Sequence, residues 1–369
     1  MEEPILKDTN QKEVTCKNCA AKLTFKPGTS SLVCEYCGAE NEIEVQETVA
    51  EELDFDKFIS EEYNNIQKEE VTTVACESCG AKTTFNPHVV SDFCPFCGSV
   101  LVSKKPETSN FFRPSLLIPF TLDHKKAFEN FQLWIKKLWW APSNLKKYAV
   151  QEEKLKGLYI PYWTYDSQTY SRYTGQRGDD YYVTETRTVN GKTESHQVKK
   201  TRWTSVSGNI SHFFDDVLVC ASKSLPVKYI DKLEPWDYTK MLNYDEKFVS
   251  GFTTETYQVD VKEGFGNAKV KMEDVVRSLV RQDIGGDHQR ISTLSINYDK
   301  ITFKHLLLPI WVSAYRYKKK IYRFLVNGQT GKVQGERPWS WIKITLAILV
   351  GLAIIAGAIY LIDAYSQNA

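Results

Sequence analysis

The sequence lacks an excess of charge of either sign: 47 Lys and Arg stand against 46 Asp and Glu, for a net charge of +1. That balance excludes a whole-chain pull toward nucleic acid or an acidic substrate, so charge has to be read locally. Met1–Asn10 has no basic stretch followed by an apolar run, so no secretory signal is expected there. A Walker loop is missing as well. Gly328-Gln329-Thr330-Gly331-Lys332 lacks the four residues that pattern needs between its glycines, which excludes an ATP-driven motor. No stretch pairs a nucleophile with a base, so no catalytic residues are expected and the chain does not read as an enzyme.

Cysteine, by contrast, is ordered. Eight of the nine cysteines fall in CxxC pairs, and Cys16, Cys19, Cys34 and Cys37 recur 60 residues later as Cys76, Cys79, Cys94 and Cys97. Without an export signal, such pairs read as metal ligands in a reducing compartment rather than as disulfides. Two CxxC turns deliver four thiolates to one point, which suits tetrahedral Zn²⁺ and leaves no position open for water. Two structural Zn²⁺ ions are therefore expected. A ribbon of about 30 residues buries too little apolar surface to fold without its metal. The flanks repeat with the cysteines: Ala21-Lys22, Thr24-Phe25, Pro27 and Gly38 reappear as Ala81-Lys82, Thr84-Phe85, Pro87 and Gly98. The ninth cysteine, Cys220, lies in an apolar stretch and reads as a small buried hydrophobe.

The C-terminal region holds a different signal. Ile344 to Ile362 carries no charged side chain over 19 residues, enough helix to match a hydrocarbon core of about 30 Å. Trp339 and Trp341 flank one end, Tyr360 and Tyr365 the other, as interfacial aromatics do. Lys332, Arg337 and Lys343 precede the span, so the positive-inside bias places the bulk of the chain in the cytoplasm. A single-pass, tail-anchored topology in the cell (inner) membrane is expected. Ala347/Gly351 and Ala353/Gly357 are small-xxx-small spacings that permit helix pairing, including self-association.

Five regions follow: a zinc ribbon at 12–43, an acidic linker at 44–70, a second ribbon at 71–105, an α+β domain at 110–338, and a transmembrane helix at 342–362. The linker holds ten acidic residues against two lysines, which reads as solvated chain. The α+β domain contains an apparent internal duplication. Leu158-Tyr159-Ile160-Pro161-Tyr162-Trp163 resembles Leu306-Leu307-Leu308-Pro309-Ile310-Trp311, with an echo at Leu116-Leu117-Ile118-Pro119-Phe120. Asn190-Gly191 and Asn327-Gly328 signal hairpins, and helical stripes are expected over Lys125–Trp140 and Met272–Ile284. Two halves result, each a helix on an antiparallel sheet.

Neither ribbon carries the basic stripe that phosphate neutralisation needs, so protein binding is favoured over nucleic acid, with a membrane-tethered nucleic-acid binder as the alternative. Phe25, Pro27, Tyr36, Phe85, Pro87 and Phe96 are candidate partner contacts, with packing around the metal the competing role for Phe25 and Phe85. Asp283 to His288 reads as a helix C-cap at Gly285 followed by a polar loop, and His212 with Asp215 and Asp216 as a second polar cluster, with a metal site or catalytic base around His288 or His212 the alternative. The basic runs Lys199–Arg202 and Arg316–Arg323 read as solvated strand faces, with contact to anionic lipid the alternative for the second.

The paired ribbons, together with Leu155–Tyr165, Tyr173–Gly178, Asp283–His288 and Gly335–Trp341, resemble a family of bacterial TFIIB-type double zinc-ribbon membrane proteins. Members are sometimes labelled as relatives of the primosomal replication-restart helicase. The resemblance implies a membrane anchor acting beside SPFH-domain or phage-shock-type proteins in membrane stress. It carries over a role for the eight cysteines alone. The chain is thus expected to be an adaptor that recruits protein partners to the membrane through its ribbons.

Overall fold

A computed structural model describes residues 14–45, 51–60, 68–78, 81–84, 91–96, 98–102, 107–145, 155–189, 192–318 and 320–367. Three antiparallel strands dominate: Lys156–Val189 (34 residues), Lys192–Cys220 (29 residues) and His288–Tyr317 (30 residues). The first is central, flanked by the second and the third. At about 3.3 Å per residue the first strand alone spans roughly 110 Å, several times an ordinary strand. One end of this sheet is covered on both faces and forms the body. The other end projects as an arm.

In the body, the repeated apolar motifs are neighbouring strands. Leu158 lies opposite Ile310, Ile160 opposite Leu308, and Tyr162 opposite Leu306, so the equivalent residues Ile160 and Leu308 face each other across a local two-fold. Leu116–Leu117 joins the far side of the third strand in parallel, at Leu306–Leu307. These stretches are apolar throughout because both faces are buried. Leu117, Tyr159, Leu307 and Trp311 point to a cluster that includes Leu23, Phe25 and Leu32 of the first ribbon. Leu116, Leu158, Ile160 and Leu308 point to one that includes Cys76, Ala81, Cys94 and Phe96 of the second. Each described ribbon surface therefore caps one face of the sheet.

The halves expected from the repeat share this one sheet, and their helices differ. His124–Lys137 starts at Asp123, whose carboxylate accepts from the Lys126 amide at 2.7 Å, and buries Phe128, Phe131 and Ile135. It ends before Trp139, which is 77% exposed rather than part of the buried stripe. The chain must leave helical geometry ahead of Pro142. The other helix, Val261–Ile284, begins eleven residues before Met272. Gly264 and Gly266 hide its first turns in the sequence. Gly264 is required because a Cβ there would lie 2.3 Å from the Tyr165 hydroxyl oxygen and 2.8 Å from Trp163. Tyr165 Oη and Trp163 Nε1 donate to the carbonyls of Val261 and Val259, locking the helix onto the arm.

Two further expectations shift. Within 44–70, Leu53–Asp54 pairs with Thr302–Phe303 and Phe55 is buried, so residues 51–60 are docked rather than solvated. Phe55 and Phe58 give this acidic stretch the apolar surface that a solvated linker lacks. Asn190-Gly191 lies outside the described residues. At Asn327, strand Lys320–Asn327 does turn back onto Val333–Gly335, but the residue with positive φ is Gly331 (+76°), not Gly328. The Asn327 carboxamide oxygen accepts from the amides of Gln329 and Thr330, shaping a longer Asx-type turn. Trp341–Gln367 forms one exposed helix, of which Trp341–Ile362 is long and apolar enough to cross a membrane.

Candidate metal centre and charged clusters

The first ribbon is built from Leu23–Phe25, Ser31–Cys34 and Glu40–Glu42. Tight turns aim its sulfurs inward: the Cys16 amide donates to Ala21 O at 2.7 Å, and the Gly38 amide to Cys34 O at 2.9 Å. Gly38 takes φ +71°, open to glycine at little cost. The sulfurs of Cys16, Cys19, Cys34 and Cys37 lie within 4.8 Å of one another. Cys16–Cys37 and Cys19–Cys37 are 3.6 Å apart, and Cys19–Cys34 3.5 Å. A tetrahedron with Zn–S bonds of about 2.3 Å has edges of about 3.8 Å, so this group fits a Zn²⁺ ion.

Electrostatics agree with a cation at the centre. The amide of Asn18 lowers the Cys16 thiol pKa, and that of Cys37 brings Cys34 down to about 7 against the opposing cost of burial. For Cys19, the Ala21 amide pulls downward, yet the neighbouring sulfurs win and push it up to about 12. Four thiolates this close repel unless a cation sits among them.

The described part of the second copy repeats the first. The Cys76 amide donates to Ala81 O at 2.9 Å, the Cys94 amide to Ser99 O, and the Gly98 amide to Cys94 O, with Gly98 again at φ +71°. Ser91 pairs with Val102 as Ser31 pairs with Glu42, and Ala75 with Lys82 as Thr15 with Lys22. Cys76 and Cys94 are buried. Cys79 and Cys97 lie outside the described residues, as do Phe85 and Pro87, so one four-sulfur group is shown and two cysteines of the second quartet are described.

Of the four described residues expected as partner contacts on the ribbons, two are consumed by the body. Phe25 is buried against Phe248, with ring centroids 5.3 Å apart, and its amide donates to Ser250 O. Phe96 is fully buried and its carbonyl accepts from Arg323 Nε at 2.8 Å. That bond also corrects the reading of Arg316–Arg323 as a solvated face, since Arg323 holds the second ribbon. Pro27 is half-buried. Tyr36, at 88% exposure, is free of the body.

The polar segments singled out from sequence are rearranged. His212 packs edge-on against Phe214, apart from Asp216. Asp215 and Asp216 instead meet Asp166, at a bulge where these two residues of the second strand oppose one of the first. Lys304 enters this group, with Nζ 2.8 Å from Asp216, 3.2 Å from Glu52 and 3.6 Å from Asp166. Burial alone would lower the Lys304 pKa; Asp216, Asp166 and Glu52 outweigh it and hold the ammonium charged. Nothing in the spacing of Glu52, Asp166 and Lys304 announced this cluster. Cys220 is buried, as expected, and burial pushes its thiol up to about 12.

The loop after Gly285 does follow a C-cap, with the Gly285 amide donating to Arg281 O. Asp283 turns back to Tyr173, whose hydroxyl donates to it at 2.5 Å. His288 meets the Lys199–Arg202 run through Asp180, which sequence reasoning passed over. Asp180 accepts from Lys199 at 2.7 Å, Thr201 at 2.7 Å and His288 Nε2 at 3.0 Å, and its amide donates to Asp287. Lys199 is the main cause that draws the Asp180 carboxyl to about 2. Beside this hub, Trp203 lies across Gly178, and the Arg290 guanidinium stacks 3.8 Å from the centre of its ring. Thr201, Trp203, Arg281, His288 and Arg290 line an open shelf of about 600 Å³.

The chain is 27% identical over 335 residues to the uncharacterized protein YdjG of Bacillus subtilis (strain 168), covering 88% of this chain and 89% of that protein. No family model matches the sequence. No solved structure matches it either.

Proposed function

We propose that the chain is a membrane-anchored adaptor whose partner-binding element is the β-arm. The C-terminal helix crosses the bilayer with the body on the cytoplasmic side. The two four-cysteine ribbons hold Zn²⁺ as structural clamps on opposite faces of the sheet. One observation carries this reading: the ribbon aromatics Phe25 and Phe96 are 3% and 0% exposed, whereas Tyr170, Phe213 and Tyr182 on the arm are 51%, 55% and 65% exposed. The register puts these three, with Trp203, on the side opposite the Val261–Ile284 helix. Apolar surface gathered on one face marks an interaction site. The resemblance seen in the sequence points to SPFH-domain or phage-shock-type proteins as partners.

A decisive comparison is crosslinking and mass spectrometry from native membranes. One variant carries Tyr170→Ala, Tyr182→Ala and Phe213→Ala on the arm, and another carries Tyr36→Ala on the exposed ribbon knuckle. Loss of specific crosslinks in the first alone supports the arm. Their retention there, with loss in Tyr36→Ala, returns the partner to the ribbon.

A second reading has its own observation. Arg290 stacked on Trp203, with Arg172 and Lys199 on the same face, interleaves cations with aromatic rings as single-stranded nucleic-acid sites do. Tight, salt-dependent binding of an oligonucleotide by the full chain, lost in Arg290→Ala, would favour it over a protein partner.

A further inference from the structure

The Trp341–Gln367 helix does not leave the body on a free tether. The Ser340 amide donates to Trp140 O at 2.8 Å. Lys343, in the helix's first turn, donates from Nζ to the carbonyls of Trp139 at 3.0 Å and Ala141 at 2.9 Å. The turn that follows the His124–Lys137 helix is thereby fixed at the level where the apolar span begins. On that turn Trp139 is 77% exposed, and beside it stand Trp339 and Trp341 at 52% and 77%. Arg337 lies 4.5 Å over the Trp339 ring. Lys136 and Lys137, in the last turn of the same helix, are exposed.

We infer that the Lys136–Trp139 corner is a second membrane contact, in which Trp139 enters the headgroup layer and Lys136 and Lys137 meet anionic phospholipid. The inference rests on the reading of Trp341–Ile362 as a span. The occupant is the bilayer that holds that span, because the corner is bonded to its first turn and no intervening linker lets it move away. Tryptophan suits this layer: its ring is apolar while its indole N–H stays hydrated. The cations lie on the side where negative headgroups gather. Two separated contacts would fix the angle of the body to the membrane, and with it the direction of the arm.

A benzophenone side chain placed at position 139, 354 or 36 of the full-length protein tests this. The protein is reconstituted in phosphatidylcholine vesicles with or without phosphatidylglycerol. Lipid adducts are expected from 139 and 354 and not from 36. Adducts at 354 but none at 139 would overturn the corner contact and leave the span standing. No lipid adduct at either position would overturn both. Lys136→Glu combined with Lys137→Glu should lower the 139 adduct yield in phosphatidylglycerol vesicles, by about 5-fold per lysine. An unchanged yield would remove the charged part of the contact.

Discussion

Replacing Lys304 by Met removes the cation that, among the described residues, pairs with Glu52, Asp166 and Asp216, while keeping an unbranched stem of similar length. The Lys304 and Asp166 side chains are 5% and 3% exposed, so the change leaves buried charge without its partner. Breaking such a pair costs about 3–5 kcal/mol. At the low end, the apparent Tm of the full chain should fall by roughly 4 °C. The sign of the pH dependence follows from the carboxylates. Burial raises Glu52, but Thr302 and Lys304 outweigh it and bring it below its ordinary 4.5. Its contribution is therefore complete above that value and is lost as pH falls through the lowered one. Asp166 is raised by burial, despite the Asp216 amide and Lys304. Without Lys304 it must rise further and take up a proton more readily.

The deficit of Lys304→Met should thus be largest near about pH 8 and narrow toward about pH 5. Thermal unfolding of wild type and variant at both pH values measures it. Adding Asp216→Asn should recover part of the loss, since Asn tolerates the φ of +51° at that position. A deficit below about 1 kcal/mol at the higher pH, the range of a surface pair, would refute the reasoning. So would a deficit independent of pH.

Other expectations can be checked alongside. On the proposed reading of the ribbons, Cys34→Ser should lower bound zinc by one ion per chain, read by metal analysis, and expose the Phe25 side of the body to proteolysis. Gly285→Ala should cost about 1–3 kcal/mol, measured by denaturant unfolding, because φ +65° with ψ −162° is open to glycine alone. Its Cβ would meet nothing closer than 3.6 Å, so the cost is one of backbone and not of crowding. Asp180, held near 2 chiefly by Lys199, keeps its contribution above the ordinary 3.8 and loses it as pH falls from there toward 2. The ratio of arm to body amide-exchange rates should accordingly stay flat from about pH 5 to about pH 8 and rise only in stronger acid.

Local signals were readable where they depend on spacing. The four cysteines of the first ribbon, the apolar helix, the cap at Gly285 and the burial of Cys220 each follow from residues near in sequence or from one uniform run. The repeated Leu-x-x-Pro motif read as two α+β halves, whereas its two strong copies pair with each other in one sheet. Helix Val261–Ile284 was read only in part, because Gly264 and Gly266 look like breakers until Tyr165 and Trp163 are seen to need the space.

By itself, then, the sequence determined which chemistry is present: thiolates spaced for a metal, strands apolar enough for a two-faced core, and a helix fit for a bilayer. The tertiary structure alone decided where each is used. It turned Phe25 and Phe96 inward, because a sheet apolar on both faces needs two covers and the ribbons supply them. It also drew Glu52 to Lys304 across 252 residues of chain, and Asp180 to His288 across 108. Register between strands far apart in sequence sets such contacts, and no local spacing encodes that register.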